Sequence, residues 1–272
     1  MDRYIPIIAS IRSALGASVF VTGSTSTLIS GELADKLTGR YVEFSVFPFS
    51  YDEVVQFTSH DDEETLADYL KWGGFPVRFA PAINARTAIQ DILSSIVERD
   101  ILGRHPEFDR WNFRNFLSYI LAYTSNRIST ESLSTFISVN EKKISTTTCY
   151  KYLEAMREAN LISMPVRFDI RRKEMLKTRR KSYATDPSLV TLQRGSTAPF
   201  DLGDILETVA YNELVSRGYE VHTGKTYNGE IDFVVTNRVK RCYIQVAYLL
   251  CWGRDQNTNR GRHDKPNLSR NP

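Results

Sequence analysis

Cysteine is scarce in this chain: Cys149, Cys242 and Cys251 are its whole complement, far apart and without a CxxC or Cys/His spacing. That argues against a disulfide framework or a zinc site and makes a reducing cytoplasm the expected compartment. Long hydrophobic runs are also missing. No stretch reaches the ~18 apolar residues that a spanning helix needs, so no membrane association is expected. The opening Met1-Asp2-Arg3-Tyr4-Ile5-Pro6 carries no basic leader feeding an apolar stretch, so no secretory signal is read there. A phosphate-binding loop is absent too. In Gly224-Lys225-Thr226 the nearest upstream glycine, Gly218, is separated from Gly224 by five residues rather than four. The next residues, Tyr227 to Asp232, read as a turn and a strand, whereas such a loop must open a helix whose N–H groups wrap phosphates. No apolar run ends in Asp-Glu as a magnesium-holding strand would.

What is present is the composition of an ordinary globular protein, 42% hydrophobic and 25% charged over 272 residues, enough for about two domains. The formal net charge of +3 is unevenly placed. Residues 252–272 hold five basic against two acidic side chains and so carry all of it. The remainder is neutral, yet Arg167 to Lys181 gathers eight basic against two acidic residues. One basic segment on a net-acidic body points to a polyanion site or a partner surface.

Along the chain, Tyr4–Leu15 reads as a helix closed by Gly16, and Ser18–Thr22 as a short apolar strand ending at Gly23-Ser24. Ser30–Leu37 reads as a helix and Tyr41–Val46 alternates like a strand. Ser50 can cap a helix beginning at Tyr51, with Glu53 placed to complete a capping box. A helix over Glu63–Lys71 stops at Gly73-Gly74-Phe75-Pro76. A long helical pattern runs from Ile83 to Leu102, with Ile89, Ile92, Leu93, Ile96 and Val97 on one face. Helices are expected over Phe113–Tyr123, Glu131–Ile137 and Thr146–Asn160, the last capped by Ser145 or Thr146. Leu161–Phe168 and Lys181–Thr185 read as strands flanking the basic run. A helix over Asp201–Ser216 closes at Gly218, and strands are expected next at Tyr219–Thr223, Ile231–Thr236 and Arg241–Leu249. After Leu250 the chain is polar and aperiodic, and residues 251–272 are expected to be a disordered tail.

Two constellations carry chemistry. Three helices and then a basic hairpin form the pattern of a winged helix, in which the third helix enters a groove and the hairpin touches phosphates. Arg171, Arg172, Lys173, Arg179, Arg180 and Lys181 are the candidate nucleic-acid contacts; the alternative is a protein-docking module with a solvated hairpin. The second constellation is acidic. With Glu207 on a helix, Asp232 on one strand and Gln245 on the next, the layout resembles that of restriction-endonuclease-like folds. There an acid and an (Asp/Glu)-x-Lys hold Mg²⁺ and activate water. Here that third motif is Gln245-Val246-Ala247, which lacks a charged ligand and a lysine, so an inert, nuclease-shaped module is expected and no metal is assigned.

Several segments in fixed order carry a resemblance. Val19-Phe20-Val21-Thr22-Gly23-Ser24, Leu37-Thr38-Gly39-Arg40-Tyr41, Phe47-Pro48-Phe49-Ser50 and Gly73-Gly74-Phe75-Pro76 stand first. Tyr183-Ala184-Thr185-Asp186, Gly218-Tyr219-Glu220-Val221 and Glu230-Ile231-Asp232-Phe233 come after them. Together they resemble a group of prokaryotic AAA-type ATPases that continue into a winged helix and a restriction-endonuclease-like domain of uncharacterised function. The resemblance implies an α/β fold with a partial ATPase core over residues 1–80, lid helices and winged helix over 81–186, and a degenerate nuclease-like module over 187–250. It places Ser24 at a sensor position beside the γ-phosphate and Arg40 at an arginine position of the core. ATP and Mg belong to the intact family, and none is expected for this chain alone. The phosphate loop and Asp-Glu strand of the family should lie before Met1, which suggests a coding sequence started internally and frameshifted near Leu250. The expected function is a binding module for DNA or a protein partner, without ATP hydrolysis of its own. A metal-dependent nuclease and a non-functional truncated product are the alternatives.

Overall fold

In a computed structural model the described residues are 42–128, 144–176, 180–195, 202–227, 229–237 and 240–248, with positions 14, 18–20, 22 and 23 before them. The helices expected over Tyr4–Leu15 (apart from Ala14, which is helical), Ser30–Leu37 and Glu131–Ile137 lie outside the described residues, as does the tail expected over 251–272. The fold is mixed α/β.

The first helices begin where their caps dictate. Helix α1 (Tyr51–Thr58) starts at Ser50, whose hydroxyl accepts from the Glu53 N–H while the Glu53 carboxylate accepts from the Ser50 N–H, a complete capping box. Helix α2 (Glu63–Trp72) is capped by Asp62 and stops at Gly73, held at φ +68, where a Cβ would be strained. The long pattern from Ile83 divides into α3 (Ala85–Ser95) and a π-helical continuation over Ile96–Leu102. Helix α4 (Arg110–Ala122) is capped by Asp109, and α5 (Thr146–Glu158) by Ser145.

From α2 onward these helices share one core. Ile89, Leu93 and Val97 are buried as the 3.6-residue spacing requires. Tyr152 of α5 stands at its centre, with edge-on contacts to Phe108, Phe113 and Phe116 at ring distances of 4.7, 5.2 and 5.4 Å.

Two expected strands, Ser18–Thr22 and Tyr41–Val46, are not formed among their described residues. Described positions 18–20 and 22 and residues 42–46 carry no regular structure, and Phe20, Val42, Phe44 and Val46 are exposed. An alternating segment becomes a strand only when a neighbour completes its ladder, and no described strand lies beside either one.

The strand expected over Leu161–Phe168 is two, β1 (Ile162–Ser163) and β2 (Arg167–Asp169), separated by Pro165, which has no N–H to give a ladder. β1 pairs antiparallel with β4 (Tyr183–Ala184). β2 turns into β3 (Glu174–Leu176) and runs parallel to β5 (Glu220–Lys225), which continues antiparallel through β6 (Glu230–Asn237) to β7 (Lys240–Ile244). The five-stranded order is β3-β2-β5-β6-β7, so residues 167–176 of the basic run are an edge hairpin of this sheet, while Lys181 bridges Arg127 outside it.

Helix α6 (Pro187–Arg194) comes directly after β4, and helix α7 (Leu202–Ser216) packs on the sheet. Tyr183, Tyr211, Val221, Phe233 and Val235 form a second apolar cluster, with Tyr183 and Tyr211 stacked at 4.4 Å. Gly224-Lys225-Thr226 lies at the end of β5 and in the turn after it, as its context requires. A Cβ on Gly224 would stand 2.1 Å from Ile231 Cγ2 across the ladder.

Candidate functional site

A carboxylate in a sheet that packs an apolar face against a helix needs a reason to turn inward, and β6 supplies one. His222 of β5 faces Val234 and Gly224 faces Ile231, so Asp232 and Phe233 together oppose Thr223. This bulge sends consecutive side chains toward the same region. Phe233 lies 5.7 Å from the Tyr183 ring, and Asp232 reaches Lys181 beside it.

The three acid-site residues expected from the sequence are brought together. Asp232 Oδ2 accepts from Gln245 Nε2 at 2.6 Å and from the Val246 N–H at 2.8 Å. Glu207, on the sheet-facing side of α7, accepts from the Tyr183 hydroxyl at 2.6 Å and from Lys181 Nζ at 2.6 Å. The same ammonium lies 3.8 Å from Asp232 Oδ1. Lys181, Glu207 and Asp232 are only 11–12% exposed, so the centre is a nearly closed ionic cluster. Burial pushes the Glu207 carboxyl above the usual carboxylate range, and the bonds from Lys181 and Tyr183 oppose that rise. Burial, and after it the Glu207 charge, raises the Tyr183 phenol as well, so this hydroxyl stays a donor at any physiological pH.

Lys181 therefore has a different place from the other basic residues. It and Tyr183 are two apart on an extended segment and face the same carboxylate. Sequence reasoning missed Tyr183 and placed Lys181 among the nucleic-acid contacts, whereas it lies nearly buried against Glu207; the period-two spacing of the two was the available signal. The donor set does not fit a divalent cation: an ammonium already bridges the carboxylates, and Gln245 gives its N–H₂ to Asp232. Among the described residues no cluster of three or more His, Cys, Asp and Glu side chains could hold a metal.

A second ionic layer lies at the end of the sheet. Glu230 pairs with Arg127 and with the buried Arg167, the latter at 2.9 Å. Arg171, Arg172 and Lys173 form the β2–β3 turn beyond it and are exposed. Asp169 pins that turn by accepting from the Arg171 and Arg172 N–H groups at 3.1 and 3.0 Å; the Arg172 bond foremost, with Lys225 beside it, lowers its carboxyl. The Arg171 guanidinium lies 5.3 Å from the ring centre of Tyr227, which is 79% exposed in the β5–β6 turn. Arg180 is half-buried, with its carbonyl accepting from the Ile128 N–H. Arg179, Ser24 and Arg40 lie outside the described residues.

A third polar node was also missed. Asp186, fully buried, caps α6 and accepts from the Gly74 N–H at 2.8 Å and from Ser188 through its N–H and hydroxyl. Burial pushes its carboxyl up, against those bonds. Asp-Pro at a helix start was the sequence signal, an N-cap before proline at the first helical position.

The chain belongs to a family known by a domain of unknown function, DUF8612, whose model matches residues 63–199. Residues 5–55 match the model of an AAA domain, a weak relationship to AAA-type ATPases. An uncharacterised protein of Haemophilus influenzae is 31% identical over 254 residues, covering 91% of this chain and 63% of the relative. An uncharacterised protein of Methanocaldococcus jannaschii, MJ1544, is 27% identical over 253 residues, covering 86% of this chain and 56% of the relative. The chain thus spans about three-fifths of the length of these relatives. No described helix is long and apolar enough to cross a membrane.

Proposed function

We propose that this chain is a nucleic-acid-binding module of an AAA-type ATPase-family protein, built on a winged helix and a nuclease-shaped centre that does not cleave. One observation carries the reading: the acids are occupied from within by the Lys181 ammonium and the Gln245 amide, while Arg171, Arg172 and Lys173 stand exposed, with Arg171 beside the Tyr227 ring. Cations that track phosphates next to an aromatic face on which a base can stack suit a nucleic acid. In the longer protein the ATPase core would couple nucleotide state to this partner.

The test is fluorescence anisotropy of a labelled duplex across a salt series. Losing three phosphate contacts should flatten the log–log salt slope by roughly 2–3. The triple substitution Arg171→Glu, Arg172→Glu, Lys173→Glu should show that change together with weaker binding. Undetectable or salt-independent binding by the native chain refutes the reading and leaves protein docking as the role.

Against the alternative of a metal-dependent nuclease stands the Lys181 ammonium, which already lies between the two acids; nicking that requires Mg²⁺ or Mn²⁺ and disappears in Asp232→Ala would overturn that.

A further inference from the structure

The six residues Lys181 to Asp186 have a polar anchor at each end. At one end Lys181 and Tyr183 hold Glu207, and Lys181 also neighbours Asp232. At the other, Asp186 takes the Gly74 N–H inside a fully buried site. Gly74 is in turn a joint. Its carbonyl accepts from the Phe49 N–H at 2.8 Å, and the Phe49 carbonyl accepts from the Tyr69 hydroxyl at 3.2 Å. Space at this joint is used up: a Cβ on Gly73 would stand 1.7 Å from Asp186 Oδ1, and one on Gly74 1.9 Å from the Phe49 carbonyl oxygen. Arg78 closes the corner, giving Nε to the Gly73 carbonyl at 2.7 Å and Nη1 to Asp68 at 2.6 Å, while its buried Nη2 has no hydrogen-bond partner.

Phe49 and Ser50 fall within the residues matched by the AAA domain. A short continuous path therefore joins that segment to the acid centre: Phe49 to Gly74, Gly74 to Asp186, then the backbone to Tyr183 and Lys181. The middle of the segment is held laterally as well. The Ala184 N–H donates to Thr124 Oγ1 at 3.1 Å, the Thr185 N–H to the Leu161 carbonyl at 3.1 Å, and the Ser182 carbonyl accepts from Ser125 at 2.7 Å. A segment held at each residue cannot stretch, so a shift at one anchor is passed to the other instead of being absorbed between them.

We propose that Lys181–Asp186 is a tie rod: the grip of Asp186 on Gly74 sets whether Lys181 and Tyr183 cover Glu207 and Asp232, so that the AAA-matching segment controls the exposure of the acid centre. When the grip is released, the ammonium and phenol withdraw together and leave two carboxylates without their counter-charge. The coupling is reciprocal, as any free-energy linkage between two sites must be. It stands independently of the partner that the basic turn binds.

Backbone amide exchange measured by NMR on the whole chain tests it, because each anchor contains its own reporter. The Gly74 amide reads the Asp186 grip, and the Val246 amide, bonded to Asp232, reads the acid centre. Asp186→Ala should free Gly74 and speed exchange at Val246 by about tenfold, a coupling of ordinary size, with helix Arg110–Ala122 nearly unchanged. Lys181→Met should speed exchange at Gly74 by a similar factor. A freed Gly74 with Val246 unchanged overturns the proposal. So does equal acceleration in the Arg110–Ala122 helix, since the fold as a whole would then have loosened. Should Asp186→Ala fail to fold, Lys181→Met decides alone: a Gly74 amide that is unchanged, or that speeds up no more than the Arg110–Ala122 helix, overturns the tie rod.

Discussion

Replacing Lys181 by methionine keeps the unbranched stem of the side chain and removes its ammonium. In the native protein this ammonium lies 2.6 Å from Glu207 and 3.8 Å from Asp232, with all three side chains nearly buried. Breaking a buried pair from one side costs about 3–5 kcal/mol, because the remaining ion keeps its desolvation penalty and loses its partner. For a chain of this size each kcal/mol moves the melting temperature by roughly 2–4 °C, so a fall of about 10 °C near neutral pH is expected by differential scanning calorimetry. The pH dependence makes the cause identifiable. Burial already raises the Glu207 carboxyl, and loss of the ammonium removes the main opposing influence. A carboxyl with a raised folded-state pKa leaves the native state holding more protons than the unfolded one between the two pKa values. Stability therefore increases as the pH falls through that window. The gap between native and variant should narrow from pH 7 toward pH 5, and the added substitution Glu207→Gln should recover much of the loss at pH 7. A fall below about 2 °C, or one that does not vary with pH, would refute the reasoning, since even a lone kcal/mol should exceed it.

Local geometry gives two further outcomes. Ser50→Ala removes the hydroxyl that accepts from Glu53 and should cost about 1 kcal/mol, a melting shift of a few degrees. Gly224→Ala drives a methyl group to within 2.1 Å of Ile231 Cγ2 and should destabilise by about 1–3 kcal/mol in urea unfolding. Combined with Ile231→Ala its cost should fall below the sum of the single changes, because the colliding atom is then absent.

Much of the helical part was legible because its signals are local. Ser50 with Glu53, Gly73 after Trp72, and the apolar spacing from Ile89 to Val97 each act within a turn or two of chain. The strands depended on partners. Val42, Phe44 and Val46 alternate well but have no described neighbour, and Pro165 split a run that hydrophobicity alone read as one strand. In the site, Glu207, Asp232 and Gln245 were recognisable from their order along the chain, and they converge. Lys181 was grouped with its basic neighbours because charge along a sequence does not reveal direction. Its two-residue offset from Tyr183 carries that information, but only once the segment is known to be extended. Asp186 was hidden for another reason: its partner, Gly74, lies over a hundred residues away and contributes only a backbone N–H.

The bulge in β6 has a consequence for how such a centre can arise. Val234 and Ile231 would pair with His222 and Gly224 in an unbroken ladder if one residue between them were removed. Asp232 is thus a supernumerary position in the strand, added beside the apolar alternation without displacing any member of it. A lineage could gain or discard this carboxylate by a single codon insertion or deletion while Phe233 and Val235 kept their places in the core. The chemistry of the sheet and its stability are in this respect separately inherited.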